Sequence, residues 1–560
     1  MAHLRFVTRR ILASLLVLVA ASPAVAQDLR TRAERTDFVE TSRYEDVIAF
    51  VDAVVTSSEA LHRLEFGYTW EGRALPLVVW DPTAERGAYA TPIAIEKAAG
   101  DRLRVLVFAN IHAGEVAGKE AALVLLRDLA AGLHDRWSED VVLAVAPIYN
   151  ADGNERIALD NRPLQHGPIG GMGERANAQG LDLNRDFTKL EAPETRSLVR
   201  LIDEGDFHLV VDLHTTNGTI HGYHLTYAPP LHPSTDPAID RFLRDEWLPG
   251  VTRALGGKGG RVPHWGKPSM EALRRDGRWN AWHYGNLPGD AGADGERRGW
   301  YTYSPRPRFG INAIGLRNRF GILSEAYAYL PFEERVAVTL RFVEEIVDFA
   351  ADRAEEIRSI VQASDARSLV GDTLALASEP VLTHESAPIL LGEVVEERHP
   401  YTGERILRRV DSTRVEPMPA YVGFRPATSE VVPSAYLVPA DLVEVVELLE
   451  AHGIETRRTE ADREGVVEAF RITASELAVR EFQGHRIRTL EGEWIAGERT
   501  VPAGTVVVPM DQPLARLAFA LLEPASDDGF VAWNVLDDAL EDAAVHPVLR
   551  VPRRNGPESR

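Results

Sequence analysis

The chain contains no cysteine. This absence excludes disulfide bridges, thiolate nucleophiles and cysteine-ligated metal centres. A tightly bound metal ion must therefore be held by histidine, aspartate or glutamate side chains.

Long apolar runs are also scarce, and the one nearest the N-terminus indicates an export signal. Arg5 and the Arg9-Arg10 pair precede the run Ile11–Ala21, and Ala24-Val25-Ala26 has the small-x-small pattern of a cleavage site. The run is much shorter than the roughly 20 residues that cross a bilayer. We expect a cleaved signal peptide over residues 1–26, a periplasmic or extracellular protein, and no stable membrane insertion after cleavage. The arginine pair also resembles a twin-arginine signal, which would export folded protein.

Basic residues are fewer than acidic residues. Lys and Arg number 62 against 84 Asp and Glu, which gives a formal charge of −22. Loss of the three signal-peptide arginines would make this −25. Such a surface repels phosphate backbones and anionic lipid, so nucleic acid is excluded as a favoured partner.

The length of 560 residues exceeds what one hydrophobic core usually serves, so at least two domains are expected. Apolar runs that fit buried strands are Leu77–Trp80, Val105–Ile111, Val141–Ile148, His208–Leu213 and Phe320–Ser324. Helical periodicity occurs at Ala117–Leu133, Ala192–Glu204, Ile239–Leu248 and Glu333–Ile360, the last as one helix or a broken one. This alternation predicts an α/β domain over residues 27–360, with a mixed, mainly parallel sheet and helices on both faces.

A second, mixed α+β domain is predicted over residues 365–560. Short β-like pieces and turn signals fill Leu369–Pro433, and helices are predicted at Ala440–His452 and Leu514–Leu522. No motif in this region indicates its role.

Two of the predicted strands deliver metal-ligand side chains to a loop. The segment Val105–Ile111 is followed by His112-Ala113-Gly114-Glu115, and small residues between the histidine and the glutamate allow a tight turn. The strand that begins at His208 ends near His214. Because parallel strands bring their carboxyl ends to one edge of a sheet, the three side chains are expected to converge. Two histidines and one carboxylate form the usual ligand set of a catalytic zinc ion.

Further motifs occur between and after these residues. They are Asn150-Ala151-Asp152-Gly153, Asp182-Leu183-Asn184-Arg185, and Glu325 within Ile322–Tyr327. In this order, the set resembles the zinc carboxypeptidase family M14 over about residues 105–330. The resemblance implies the fold of that family, one zinc ion and a peptidase activity.

The resemblance implies roles for individual residues. His112, Glu115 and His214 would bind zinc, and Asp182 would accept the other ring N–H of His112. Asn184 and Arg185 would grip the free carboxylate of the substrate, for which a planar guanidinium is suited.

Glu325 would act as the general base on a zinc-bound water. Arg175 is the candidate for stabilising the oxyanion, with Arg162 as its rival. The family's additional tyrosine stays unassigned between Tyr301 and Tyr303. Two arginines just before the base strand, Arg317 and Arg319, either face a pocket for the departing residue or are solvated.

Three functions are compatible with these residues. The first is a metallocarboxypeptidase that releases a C-terminal residue from peptides. The second is a zinc amidase or deacylase acting on N-acyl amino acids or cell-wall peptides, because those substrates also carry a free carboxylate. The third is a binding protein without catalysis, against which the intact Glu325 argues.

Overall fold

The computed structural model describes residues 29–216, 218–257, 279–288 and 299–553. The predicted signal peptide lies outside these ranges. Within them, every helix is too short or too polar to cross a bilayer.

An eight-stranded mixed sheet forms the centre of the N-terminal region. In chain order the first nine strands are β1 (Leu61–Tyr68), β2 (Ala74–Trp80), β3 (Leu103–Ala109), β4 (Val141–Ala146), β5 (Leu209–Thr215), β6 (Leu225–Ala228), β7 (Ala281–His283), β8 (Trp300–Tyr301) and β9 (Phe320–Ala326). All except β8 join the sheet, in the order β1-β2-β4-β3-β5-β9-β6-β7. The inner run β4-β3-β5-β9 is parallel, as is β6 with β7, and the other pairs are antiparallel.

The predicted α/β fold with a mainly parallel centre is thus confirmed, and each predicted strand is present. The inner strands are continuously buried on both faces, which explains why their sequences are uninterrupted apolar runs. β6 and β7 are only four and three residues long and carry no such run, so sequence reasoning missed them.

Helices cover both faces of the sheet. Gly118 lies in the helix Val116–Ala130, and a β-carbon added at this position would contact Leu213 of β5. One at Gly321 of β9 would meet Ile311, in the helix Gly310–Leu316. Gly321 pairs with Val210 of β5, so the two residues face the same side of the sheet. Val210 and Leu213 are three positions apart on β5, and residues an odd number of positions apart on a strand face opposite sides. The two helices therefore lie on opposite faces.

The remaining α-helices before residue 370 are Arg32–Arg35, Tyr44–Ser57, Ile93–Ala99, Ala151–Glu155, Pro193–Gly205, Pro237–Arg241, Leu248–Gly256, Phe332–Asp352 and Ala354–Ala366. The pattern at Glu333–Ile360 is a broken helix, because Arg353 leaves helical geometry at φ −127°. The helix predicted at Ile239–Leu248 continues through a π-helical stretch, Phe242–Trp247, which precedes Pro249. Since proline lacks an N–H and its ring crowds the preceding turn, a locally widened helix accommodates it.

The C-terminal region is richer in long strands than the sequence suggested. Its strands are β10 (Thr373–Val381), β11 (His384–Arg398), β12 (Arg405–Tyr421), β13 (Gly423–Val431), β14 (Ala435–Val438), β15 (Arg457–Arg458), β16 (Arg463–Leu477), β17 (Arg488–Val501), β18 (Val506–Pro509) and β19 (Val545–Val551). Its α-helices are Val443–Ala451, Ala515–Leu522 and Asp537–Leu540. The expectation of only short strands over Leu369–Pro433 was wrong. Many side chains of β11 and β12 are exposed on both faces, so their sequences lack the alternation that marks a half-buried strand.

The N-terminal and C-terminal regions share one hydrophobic core. Tyr436, Leu449 and Phe519 belong to the same cluster of buried residues as the strands of the central sheet. In addition, β8 pairs with β12 rather than with the central sheet. The two regions are therefore packed together, and the domain division at residues 360–365 stays a prediction.

Candidate metal centre and cleft

The candidate site lies at the carboxyl ends of three adjacent parallel strands. His214 and Glu325 are paired neighbours on β5 and β9. His112 follows β3, which pairs with the other side of β5. The sheet therefore brings together the side chains that the sequence predicted to converge.

A compact turn connects β3 to the helix Val116–Ala130. Asn110 adopts φ +72° and donates from its side-chain amide to the Ala113 carbonyl at 3.2 Å. The backbone N–H of Glu115 donates to the His112 carbonyl at 2.8 Å. A β-carbon at Gly114 would lie 2.6 Å from the Gly173 carbonyl oxygen, so this position must be glycine. The turn thus holds the side chains of His112 and Glu115 next to each other.

The three predicted ligands form a buried cluster with their donor atoms within 4.8 Å of one another. The Nδ1 atoms of His112 and His214 lie 3.0 and 2.8 Å from the two carboxylate oxygens of Glu115. Both imidazoles thus direct the same nitrogen toward one carboxylate, which is the arrangement expected of ligands around a shared zinc ion.

Each histidine is oriented by a second carboxylate. Asp182 accepts from Nε2 of His112 at 3.0 Å, and Asp212 accepts from Nε2 of His214 at 2.8 Å. A proton held on Nε2 leaves the Nδ1 lone pair available to a metal and raises its basicity. The donor set therefore fits zinc.

Asp212 was missed by sequence reasoning. Its signal is the spacing Asp-x-His on a strand, since residues two apart project from the same face. Asp212 is fully buried, and only one of its carboxylate oxygens has a partner.

The two candidate arginines occupy different positions. Arg162 donates from Nη2 to Glu115 at 2.6 Å. Burial opposes ionisation of Glu115, but the charges of His112, Arg162 and His214 outweigh it and hold the pKa of this carboxyl well below its usual range. Arg175 instead donates from Nε and Nη2 to Asp182, at 3.0 and 2.8 Å, and lines the open cleft.

The segment that contains Asn184 and Arg185 forms a further wall of the cleft. The guanidinium of Arg185 stacks on the ring of Phe309, with 3.9 Å from its central carbon to the ring centroid. The side-chain oxygen of Asn184 accepts from the Gly310 backbone N–H at 2.9 Å, which leaves its amide group for other partners. Both side chains line the cleft.

Glu325 faces the same cleft without a partner for one of its oxygens. The buried Oε2 atom has no hydrogen-bond donor within reach in the described part of the chain. Burial raises the pKa of this carboxyl to about 8, opposed by His214 and reinforced by Glu115 and Asp212. A cation among the ligands would counter this effect and favour the carboxylate.

The cleft has a volume of about 350 Å³. Its remaining walls are Thr215, Thr216, Tyr284, Tyr303, Phe309, Ile311 and Leu323. Tyr301 instead stacks on Tyr421 at 4.6 Å between ring centroids, so Tyr303 is the tyrosine that geometry favours. Burial raises the pKa of Tyr303, with the Glu325 charge adding to it, so the phenol stays protonated at neutral pH.

Neither arginine considered for the departing residue's pocket lines this cleft. Arg317 donates to the His452 carbonyl at 2.9 Å. Arg319 pairs with Asp206 and Asp365 at 2.6 and 2.8 Å. They are structural residues of a different surface depression.

Known proteins share this organisation. Residues 47–245 match the family model of the zinc carboxypeptidases, peptidase family M14. The region that carries most of the site is therefore similar to this family. The matched range includes every predicted site residue except Glu325, which lies beyond its end.

Carboxypeptidases of two kinds are similar to this chain. Carboxypeptidase 2 of Trichophyton tonsurans is 25% identical over 514 residues, which cover 88% of this chain and 82% of that protein. Carboxypeptidase D of Rattus norvegicus is 32% identical over 185 residues, which cover 29% of this chain and 13% of that protein. The first likeness therefore extends into the strand-rich C-terminal region.

Solved structures include a metallo-carboxypeptidase from Pseudomonas aeruginosa, at 18% identity and a TM-score of 0.37, covering 57% of this chain and 70% of that one. The family is zinc-dependent, and the chain is a peptidase of the metallocarboxypeptidase type.

Proposed function

We propose that this enzyme removes the C-terminal residue of peptides, with His112, Glu115 and His214 as its zinc ligands and Glu325 as its general base. The observation that carries the proposal is the Oε2 atom of Glu325, which has no hydrogen-bond partner among the described residues and belongs to a side chain that lines the same cleft as the ligand cluster. Bound zinc would polarise the scissile carbonyl and acidify a water molecule. Glu325 takes a proton from the attacking water and returns it to the leaving amine.

The other cleft residues supply binding and charge. Arg185, held flat by Phe309, binds the terminal carboxylate of the substrate together with the amide of Asn184. Arg175 stabilises the oxyanion, since it lines the cleft whereas Arg162 is engaged with Glu115. Tyr303 donates its phenol hydrogen to the substrate.

An apolar or aromatic C-terminal side chain is the preferred leaving residue. Phe309, Ile311 and Leu323 line the cleft, and Ile311 and Leu323 pack in one buried cluster with Tyr284 and Tyr303. Burying a charged side chain against these groups would cost free energy without a compensating partner.

Glu325→Gln tests the base. The variant should keep its zinc and lose about 10²- to 10⁴-fold in kcat, the usual contribution of a general base. Glu174→Gln, which changes an exposed glutamate near the site, is the matched control and should retain activity. Full activity in Glu325→Gln would show that another group is the base.

Substrate profiling of the zinc-loaded mature chain tests the reaction. N-blocked peptides ending in Phe or Leu should be cleaved faster than those ending in Arg or Glu, and C-terminally amidated peptides should resist because they lack the carboxylate. N-acyl amino acids and cell-wall peptides form the competing arm. If these are hydrolysed and peptides are not, the enzyme is an amidase or deacylase that uses the same carboxylate-binding pair.

A further inference from the structure

A second cluster of metal-ligand side chains lies outside the cleft. It consists of Asp128 near the end of the helix Val116–Ala130, His134 directly after that helix, and Glu344 in the helix Phe332–Asp352. One donor atom from each lies within 4.8 Å of the other two. None of the three residues lines the cleft.

The imidazole of His134 is aimed into this cluster without a hydrogen-bond partner. Its Nε2 atom is buried and has no acceptor with acceptable geometry among the residues that the structure describes, although Oε1 of Glu344 lies 3.3 Å away. Zinc bonds of about 2.0–2.1 Å in tetrahedral geometry place two ligand atoms roughly 3.3–3.4 Å apart. The separation is therefore that of two ligands of one ion.

Packing fixes the ring in this orientation. His134 stacks on Trp137 with 4.1 Å between ring centroids and 12° between ring planes. Trp137 is itself fully buried, and its indole N–H donates to Asp348 at 2.6 Å. The donor atom is thus positioned before any ligand binds, which lowers the entropic cost of binding.

The arginine near each of the two carboxylates is shared with another acidic residue. Arg127 is engaged with Glu34 at 2.8 Å, and its Nε atom approaches Asp128 only to 3.7 Å. Burial raises the pKa of the Asp128 carboxyl, opposed by Arg127 and reinforced by the charge of Glu344.

The cation nearest the Glu344 carboxylate is also shared between two acidic residues. Arg341 reaches Glu344 at 3.4 Å but forms its shorter contact with Glu345. A divalent cation would therefore relieve the repulsion between Asp128 and Glu344.

We propose that Asp128, His134 and Glu344 form a second zinc site with a structural role. Histidine nitrogen together with carboxylate oxygen favours zinc over calcium or magnesium, which prefer oxygen ligands alone. The Asp128 side chain is 20% exposed, which leaves a coordination position for water. The ion would tie the helix Val116–Ala130, which begins directly after the ligand Glu115, to the helix Phe332–Asp352.

The zinc content per chain tests whether the second site binds zinc. After saturation with zinc and removal of free metal, the wild-type chain should contain two equivalents by elemental analysis. His134→Phe keeps an aromatic ring on Trp137 but removes the nitrogen donor, and it should contain one equivalent and still hydrolyse peptides. Glu344→Gln should do the same, whereas Glu345→Gln, the matched control on the same helix, should retain two.

A variant of the catalytic site gives a second test that does not depend on correct folding of the His134 and Glu344 variants. His112→Ala removes a ligand of the catalytic site and should retain one zinc ion bound at the second cluster. The proposal is overturned if wild type holds a single ion that His112→Ala loses, or if His134→Phe and Glu344→Gln both keep two. In that outcome the three side chains do not form a metal site.

Discussion

The side-chain oxygen of Gln483 accepts a hydrogen bond from the backbone N–H of Asp182 at 3.0 Å. Gln483 lies in the C-terminal region, in the loop between β16 and β17, and has φ +52°. Asp182 orients His112 and begins the turn that contains Asn184 and Arg185. A residue far along the chain thus supports both the metal ligands and the proposed carboxylate-binding pair.

Gln483→Ala should therefore weaken substrate binding more than it weakens the fold. We expect KM for peptides to rise about 3- to 10-fold, since loss of one hydrogen bond costs about 1 kcal/mol. The midpoint of unfolding should change little. Glu481→Ala, which alters an exposed residue of the same loop, is the control, and equal kinetic effects of the two variants would contradict a specific role for Gln483.

Removal of residues 365–560 should yield insoluble protein rather than an active catalytic domain. Several buried polar contacts cross between the regions: Arg308 donates to Asp528 at 2.6 Å, and Arg516 donates to Asp236 at 2.7 Å. Truncation would remove the Asp528 partner of Arg308 and the Arg516 partner of Asp236, which would keep only the Ala238 backbone N–H, and would expose apolar core surface. Expression of residues 27–364 with a solubility assay checks this. A soluble, folded and active fragment would show that the two regions fold independently.

The convergence of the three proposed metal ligands could be predicted from sequence because their positions are local to strand ends. The two histidines lie within three residues of the end of an apolar run, Glu115 follows His112 by three residues, and parallel strands align those strand ends. Glu325 was identified from the resemblance to the zinc carboxypeptidases, and it lies near the end of β9.

Residues that act across long sequence separations could not be predicted in this way. Gln483 meets Asp182 only through the packing of the C-terminal region, and no local pattern marks that contact. Arg162 and Arg175 were indistinguishable in sequence because both lie in an irregular stretch. Only the three-dimensional structure separates the one that binds Glu115 from the one that lines the cleft.

The Arg162→Ala and Arg175→Ala substitutions should affect different properties of the enzyme, zinc affinity for the first and kcat for the second. Loss of Arg162 removes a donor from the ligand Glu115, so zinc affinity should fall by about 10- to 100-fold. Loss of Arg175 should lower kcat at saturating zinc by about 10²- to 10³-fold, as expected for an oxyanion donor, with a smaller fall in zinc affinity because its hydrogen bonds go to Asp182 and not to a proposed ligand. Zinc titration and steady-state kinetics on each variant separate the roles. The opposite pattern would assign the oxyanion role to Arg162.

Asp212→Asn should weaken zinc binding although Asp212 is not a ligand. The carboxylate accepts the Nε2–H of His214, and an amide in its place is a weaker acceptor that can also present a donor to the ring. We expect zinc affinity to fall about 10- to 100-fold, with activity restored at saturating zinc. Asp203→Asn, a change of a half-exposed aspartate, is the control. Unchanged affinity in Asp212→Asn would mean that the tautomer of His214 is set by other contacts.

The ion pair between His485 and Glu191 should make stability depend on pH. His485 Nε2 lies 2.7 Å from Oε1 of Glu191, and the pair joins the β16–β17 loop to the residues that follow Arg185. The hydrogen bond to Glu191 raises the pKa of His485 above 6.5. Burial opposes ionisation of Glu191, but His485 and Lys189 together lower its pKa from 4.5 to about 2.

The signs of these shifts define the pH window. The raised pKa of His485 stabilises the fold below about pH 6.5 and is lost as pH rises through the folded-state value. The lowered pKa of Glu191 stabilises the fold above about pH 4.5 and is lost as pH falls toward 2. His485→Gln should thus destabilise the protein by about 0.5–1 kcal/mol near pH 5.5, as expected of a partly exposed pair, and by little at pH 9. Denaturant unfolding at both pH values, with His384→Gln as the exposed control, tests this, and a pH-independent loss would contradict it.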